Sequence, residues 1–525
     1  MSAFHIDAEY DCIVVGSGHA GSCAALAAID FGCKKVLMVD KCPEEWRGGN
    51  GYFTAGAHRT AHAGLLDLMS LLACPPSANE MEQIDIAPYT EEEFARDIQR
   101  LGSGRADEDI VHALVHDSRG TLQWLRESIG VQFTLSFNRQ AYKVDGRNKF
   151  WGGMALSVED GGKGLMKAHQ NALKKAQVEI WFETRAIELL VNDNGSEVVG
   201  IVVQKKEDYL RLKARSVVLA AGGFEASPEK RAEYLGPEWF NARVRGTPYN
   251  TGDGFELASA VGAKFTGDWA GCHSTAWDAN ASPDGGQREM TNQYTKSGYP
   301  LGIMVNLNGL RFVDEGEDFR NYTYAKFGRA ILQQPDGCAF QIWDSQVLNY
   351  LRKEEYGDDV VQKAWAQSVE ELADILSGAH WGLKDKTQFV KTIREFNEAV
   401  RARGKESEGP WNPAVKDGLT TQSKNIRLAI PKSNWALVIE KGPLMAVKVA
   451  CGITFTFGGV AIEAETAQVV SAKTNEAIRG LFCTGEMVGG LFYGNYPGGS
   501  GLTAGAVFGR KAGRGAGQRC DVRRE

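Results

Sequence analysis

Apolar positions come in short blocks rather than long runs, and the blocks are repeatedly closed by glycine. Cys12 to Val15 is a four-residue apolar run of strand type, the pattern of a parallel strand buried on both faces. An alanine-rich helical stretch follows, Gly32 stops it, and Lys35 to Val39 reads as a second strand. Strand-type residues fill Val178 to Gln204 on either side of a turn at Asn192 to Gly195. A further strand, Val217 to Ala220, runs into Ala221-Gly222-Gly223, and Gly252-Asp253-Gly254 opens a helix. Thr90 to Gly130 predicts two amphipathic helices, and Val369 to Gly404 predicts more. Near the end, a strand in Ile478 to Cys483 leads to Gly485-Glu486, and Tyr496-Pro497-Gly498-Gly499-Ser500-Gly501 leads into a helix of small residues. There is no internal repeat and no low-complexity segment.

Two of these strand- or turn-to-helix junctions carry chemistry. Gly16, Gly18 and Gly21 form G-x-G-x-x-G between a strand and a helix, with Ser17 and Ala20 inside the motif. Asp40 closes the second strand 19 residues after Gly21, where an acid holds the adenosine ribose of a dinucleotide, and Lys41 follows it. The second junction is the glycine turn before the C-terminal helix. Glycines there leave backbone N–H groups free at the positive end of a helix, which is an anion site.

Composition narrows the class. The 525 residues allow two or more domains, and 43% hydrophobic with 24% charged residues is ordinary for a globular chain. A net charge of −7 without a basic tract argues against a nucleic-acid binder. The 61 glycines against 15 prolines suit the close backbone approaches that nucleotide cofactors require. Ten cysteines with no CxxC pair suggest a reducing compartment and no zinc site, so no metal is expected. Met1 to Asp11 has no apolar signal core, the last three residues are not the peroxisomal tripeptide, and no run of about 18 apolar residues occurs. The expectation is a cytoplasmic protein without a transmembrane segment.

Arg47-Gly48-Gly49-Asn50 follows the acid immediately and resembles a second phosphate and flavin contact of FAD enzymes. With Ala221-Gly222-Gly223, Gly485-Glu486 and the C-terminal turn, the order of motifs resembles the fumarate reductase/succinate dehydrogenase flavoprotein family over essentially the whole chain. The fold this implies is α/β: a Rossmann-type FAD-binding domain with an inserted α+β capping domain. Residues 1–268 and 435–525 would form the FAD domain and 269–434 the cap over the substrate. In the family the N-terminal motif holds the AMP half of FAD, while the C-terminal turn and helix meet the flavin ring. By that resemblance Ala186, Asp253, Ser500, Gly501 and Leu502 join the cofactor set. Family members with covalent flavin have histidine where Asn50 falls here, so the FAD is expected to be noncovalent.

On the substrate side, Arg311-Phe312 to Glu315 matches the segment that ends in the family's catalytic arginine, which falls on Phe319 or Arg320; Arg320 is preferred for its chemistry. His273 aligns with a substrate-binding histidine, and Tyr322 and Tyr324 would line the pocket, although a structural histidine and core tyrosines fit equally. Other family positions are vacated. The Thr-Glu-x-x-Arg segment falls near Tyr294 to Gly298 without its arginine, the histidine before Gly-Gly falls at Thr454 or Phe455, and the C-terminal arginine falls on Tyr496. Several stretches, among them Glu44 to Asn50, Asp314 to Gly328 and Gly490 to Arg510, resemble the tricarballylate dehydrogenase (CobZ-like) branch instead. The Tyr-Pro-Gly turn also resembles 3-ketosteroid dehydrogenases, where Tyr496 and the Ser500 amide would polarise a carbonyl.

Three functions follow. The first is an FAD-dependent dehydrogenase or reductase acting on a CH–CH bond beside a carboxylate or carbonyl, with Arg320 as proton shuttle or anchor, His273 and Lys296 as anchors and Tyr496 as polariser. The second is a ketosteroid-type enzyme with an apolar pocket of Trp269, Trp277, Phe455 and Phe457. The third is a non-catalytic electron-transfer flavoprotein subunit. No Fe–S or haem motif is present, so quinone, oxygen or a separate electron-transfer partner would reoxidise the flavin.

Overall fold

The computed structural model describes residues 6–282, 287–403 and 411–521. The N-terminal stretch read for a signal core lies partly, and the C-terminal tripeptide wholly, outside them. The run at Cys12 to Val15 is the end of strand Ile6–Val15, the centre of an eight-stranded sheet. It pairs in parallel with Val36–Val39 on one side and Asp208–Leu219 on the other. Glu179–Trp181 extends the parallel set beyond Val36–Val39, and Ala477–Cys483 extends it beyond Asp208–Leu219. The turn at Asn192 to Gly195 joins Thr184–Val191 and Val198–Lys205, which form an antiparallel ribbon onto Asp208–Leu219. The four residues Val36–Val39 are buried throughout, as a parallel strand covered on both faces must be.

The predicted helices form with recognisable starts. Thr90 and Glu93 make a reciprocal capping box ahead of Glu91–Leu101, and Asp107 caps Glu108–Trp124. Val369–Leu376 and Lys386–Ala402 are the later pair. The C-terminal helix Ser500–Asp521 lies along the first helix, His19–Asp30. Their contact is a glycine stripe with a four-residue period. A Cβ placed on Gly509, Gly513 or Gly517 would come 2.7, 2.3 or 2.3 Å from the carbonyl oxygen of Ala20, Ala24 or Phe31. Only glycine permits that backbone-to-backbone approach.

A second, six-stranded sheet is organised around Leu444–Thr456, which pairs with Arg243–Val244, Cys272–Asp278, Ala339–Trp343 and Ala364–Ala366; Ile303–Asn306 pairs with Ala339–Trp343. Along Leu444–Thr456 the side chains alternate between two cores. Leu444 and Ala446 face the helices at 369–402, whereas Met445, Val447 and Val449 face Phe327 and Ile331 of helix Tyr324–Leu332. This sheet draws on residues 243–456, a wider span than the expected 269–434 insertion. We propose that Leu444–Thr456 be counted with the cap, since three of its four strand partners lie there. No helix of the described residues is long and apolar enough to cross a membrane.

Candidate active site

One cavity runs from the carboxyl ends of the nucleotide-sheet strands to the second sheet, so it lies between the two halves of the fold. At the nucleotide end the geometry follows from three glycines. Gly16 has φ +108°, and a Cβ there would come 2.3 Å from the Ala220 carbonyl oxygen; one on Gly21 would come 2.1 Å from the Gly16 oxygen. Gly18 starts the first helix with no side-chain cap, which leaves its first N–H groups for an anion. Asp40 Oδ2 accepts from the Ser17 amide at 2.8 Å and the Ser17 hydroxyl at 2.7 Å, so acid and motif are held as one unit. Lys41 and Arg185 both pair with Asp253, at 3.0 and 2.8 Å.

Gly16, Ser17, Gly18, Ala20, Asp40, Lys41, Ala186 and Asp253 line this end. Gly49, Asn50, Ala221, Gly222, Gly485, Glu486, Gly501 and Leu502 line the middle. Gly21, Gly48, Gly223 and Ser500 stand behind the wall: a Cβ on Gly48 would meet Met166, one on Gly223 would meet Glu486, and the buried Ser500 amide bonds to the Pro497 carbonyl. Arg47 is the outlier of its motif, because its side chain pairs with Glu44 at the surface.

Asn50 is fully engaged. Its Nδ2 donates to Glu225 Oε1 at 2.6 Å and to the Thr454 carbonyl at 2.8 Å, and its Oδ1 accepts from the Thr247 amide. Burial raises the Glu225 carboxyl, and burial with the nearby Glu225 charge holds Glu486 well above the carboxylate range. His19 donates from Nε2 to the Leu502 carbonyl, which leaves Nδ1 to accept from His169 Nε2 at 2.9 Å. The ligand atoms of His19, Cys23 and His169 lie within 4.8 Å of one another, and the two imidazoles are bonded to each other.

The other end is basic. Arg320, on the turn Arg320–Tyr322, donates to Ser297 Oγ at 3.4 Å and to the Arg139 carbonyl, and sits 5.2 Å from the Trp151 ring. Arg352 donates to the same Ser297 oxygen at 2.5 Å and pairs with Glu355 at 2.8 Å. Glu355 Oε2 accepts from the Ser297 amide and hydroxyl, both at 2.8 Å, while Arg139 pairs with Glu354 at 2.8 Å. Burial opposes the Glu355 charge, but Arg352, Arg139 and Arg320 outweigh it and hold its carboxyl below the usual range. Arg245 donates to Asn292 at 3.2 Å and Thr454 at 3.4 Å. Among the described residues, neither Arg245 nor Arg320 has a carboxylate within 4.0 Å.

Between the basic wall and an aromatic floor lies His273, whose ring centre is 4.8 Å from those of Tyr324 and Tyr496. The two phenol oxygens are 3.4 Å apart, and Phe455, Phe457 and Phe492 pack around Tyr496. Burial and the Arg245 charge hold the His273 imidazole well below its ordinary value, so it is neutral, and its Nδ1 has no partner.

Arg320, His273, Tyr324, Tyr496, Phe455 and Phe457 are therefore brought together. Four other expectations are corrected. Tyr322 lies outside the cavity because its hydroxyl donates to Asp97 at 2.6 Å and accepts from Arg59. Lys296 is buried away from it, bonded to the Gln293 carbonyl and 3.9 Å from Asp278. Trp269 stacks on Phe224 within the nucleotide-domain core, and Trp277 packs edge-on to Tyr294. Arg139, Arg245 and Arg352 also line this end, and sequence reasoning missed them. Only the Arg352–Glu355 spacing on one short helical turn offered a local signal.

A family model described as FAD binding domain matches residues 11–502, so the chain belongs to that family. It is an FAD-dependent oxidoreductase of the fumarate reductase group. A probable fumarate reductase of Shewanella frigidimarina is 30% identical over 95% of this chain and 74% of its own length. A urocanate reductase of Eggerthella lenta is 27% identical over 97% of this chain and 74% of its own. Among solved structures, an open-conformation flavocytochrome c3 fumarate reductase superposes with TM-score 0.70 at 27% identity, over 98% of this chain and 79% of that one. A 3-ketosteroid Δ1-dehydrogenase of Sterolibacterium denitrificans shares the fold, with TM-score 0.71 at 21% identity, over 97% of this chain and 99% of that one. The close glycine approaches, the uncapped first helix and the Ser17–Asp40 unit fit the pyrophosphate and ribose of FAD.

Proposed function

We propose that the enzyme forms or reduces a C–C double bond flanked by carboxylates, acting on a small polycarboxylate of the tricarballylate type. One observation carries this reading: Arg245 and Arg320 face a single cavity and neither has a carboxylate within 4.0 Å among the described residues. Uncompensated guanidinium charges in an enclosed site are costly, and a substrate carboxylate on each would offset that cost. A neutral ketone would leave both unpaired. The relatives named as fumarate and urocanate reductases support the reaction class.

Bound FAD supplies the hydride acceptor or donor. Arg245 anchors one carboxylate. Arg320, held at Nη1 by Ser297, is placed to bind the other or to move a proton at the carbon beside it. Ser297 also bonds Arg352 and Glu355, so a hydrogen-bonded string leads from Arg320 to a buried acid. The cap strands cover the reacting bond and exclude water. The engaged Asn50 offers no covalent attachment, which supports noncovalent FAD, released intact on denaturation. Ten free cysteines support a reducing compartment such as the cytoplasm. Electrons would pass to a quinone, oxygen or a separate carrier protein.

A second reading rests on the Tyr324–Tyr496 pair beside His273 over the aromatic floor, which suits a carbonyl held by Tyr496. Anaerobic titration of the flavin absorbance decides between the two. Bleaching by tricarballylate, or reoxidation of dithionite-reduced enzyme by its unsaturated counterpart, supports the polycarboxylate. Bleaching by a 3-ketosteroid alone overturns it.

A further inference from the structure

Arg59 was not part of any motif, yet its side chain is fully buried and joins three polar groups behind the cavity wall. Nη1 donates to the hydroxyls of Tyr89 at 2.9 Å and Tyr322 at 3.2 Å, and both hydroxyls donate to Asp97 Oδ2, at 2.8 and 2.6 Å. Each phenol thus bridges the guanidinium and the carboxylate, which are themselves 3.7 Å apart. Burial opposes the Arg59 charge, but Tyr322, Tyr89 and Asp97 outweigh it and keep the group protonated. On its other side Nε donates to the Gly498 carbonyl at 2.8 Å, the Arg59 amide bonds the Gly499 carbonyl, and the Arg59 carbonyl accepts from Thr503 Oγ1 at 2.8 Å.

The same knot reaches the cap twice more. Asn495 donates to the Tyr322 carbonyl, and the Gly498 amide donates to the Asn321 carbonyl at 2.8 Å. From the helix that carries Asp97, Arg100 pairs with Asp318 at 2.7 Å and lies over the Tyr322 ring. None of Arg59, Tyr89, Asp97 and Tyr322 lines the cavity, but Gly499, whose carbonyl accepts from the Arg59 amide, does, and so does Arg320, two residues before Tyr322.

We infer that Arg59 is a positioning residue: with Asp97, Tyr89 and Tyr322 it latches the cap segment bearing Arg320 to the glycine turn that opens the C-terminal helix, so that the two walls of the reaction site hold one register. The inference does not depend on which acid is the substrate. A guanidinium is needed because one planar group must serve the Gly498 carbonyl and the two phenols from different edges, which an ammonium cannot do.

The test is amide hydrogen exchange on the FAD-loaded protein, together with the visible circular dichroism and midpoint potential of its flavin. Tyr322→Phe, nearly isosteric, should speed exchange of residues 319–324 about tenfold, the effect of one charge-assisted hydrogen bond. Arg59→Lys should speed 319–324 and 495–503 together and shift both flavin signals, with Asp97→Asn following the same pattern more weakly. Uniform acceleration over the whole chain with unchanged flavin signals would make Arg59 a core strut and overturn the inference. So would Tyr322→Phe without effect on 319–324, a result obtainable even if Arg59→Lys does not fold.

Discussion

At the nucleotide end of the cavity, most lining groups sit on turns between a strand and the helix that follows it. Gly16, Ser17 and Gly18 follow one strand, and Asp40 ends the next. At the other end Arg139, Arg245, Arg320 and Arg352 come from four separate segments and meet only because the second sheet and its loops fold over the first. The first end recognises a fixed cofactor with backbone and conformation. The second is lined by long side chains supplied from separate loops, which on the proposed function would bind the substrate.

The contrast can be broken by substitution, beginning with the largest effect. Gly16→Val puts side-chain atoms against the Ala220 carbonyl at a positive φ, and should cost at least about 2 kcal/mol and leave the purified protein colourless. Retained flavin absorbance would show that the motif is not the grip described. Arg320→Ala should keep FAD but lower turnover by about a thousandfold, read as kcat against flavin content. Arg245→Met should act on KM instead, raising it about 10- to 100-fold with kcat little changed, as loss of an anchoring carboxylate contact does. Equal falls in kcat and kcat/KM would move Arg245 into the reacting set.

Two pH measurements sharpen it. His273 is held neutral, so substrate affinity between pH 5.5 and 8 should show no imidazole step. A step near 6.5 would mean that His273 binds as a cation. The smallest effect is expected of Lys296, whose ammonium burial pushes from the usual 10.5 down to about 8, against Asp278 and Glu355. Between those two values the unfolded chain binds a proton that the native chain has released, so stability should rise with pH in that window. Lys296→Met should abolish the rise in urea-melt stability while changing substrate affinity less than about twofold.

The nucleotide half was legible because its signals are local: a buried strand, glycines at a forced turn and an acid at fixed spacing are all read within Cys12 to Lys41. Arg320 and Tyr496 were legible only through resemblance. Arg139 and Arg245 carry no local signal, since an arginine in a loop is usually solvated, and only the three-dimensional convergence marks them. Tyr322 was misplaced by a simple geometric fact: it lies two residues from Arg320 on a tight helical turn, so the two side chains leave in different directions. Trp269 failed as a pocket residue because large apolar rings are more often core than lining.

The glycine stripe at Gly509, Gly513 and Gly517 makes the C-terminal helix an indexed part rather than a free one. Its starting turn reaches toward the middle of the cavity, while the helix it rests on begins at the phosphate motif. The spacing between those two helix starts is consequently a gauge, graduated in steps of four residues, about 6 Å. A slip by one glycine would lengthen or shorten the gap by that step, so the stripe fixes the distance between the phosphate motif and the C-terminal turn.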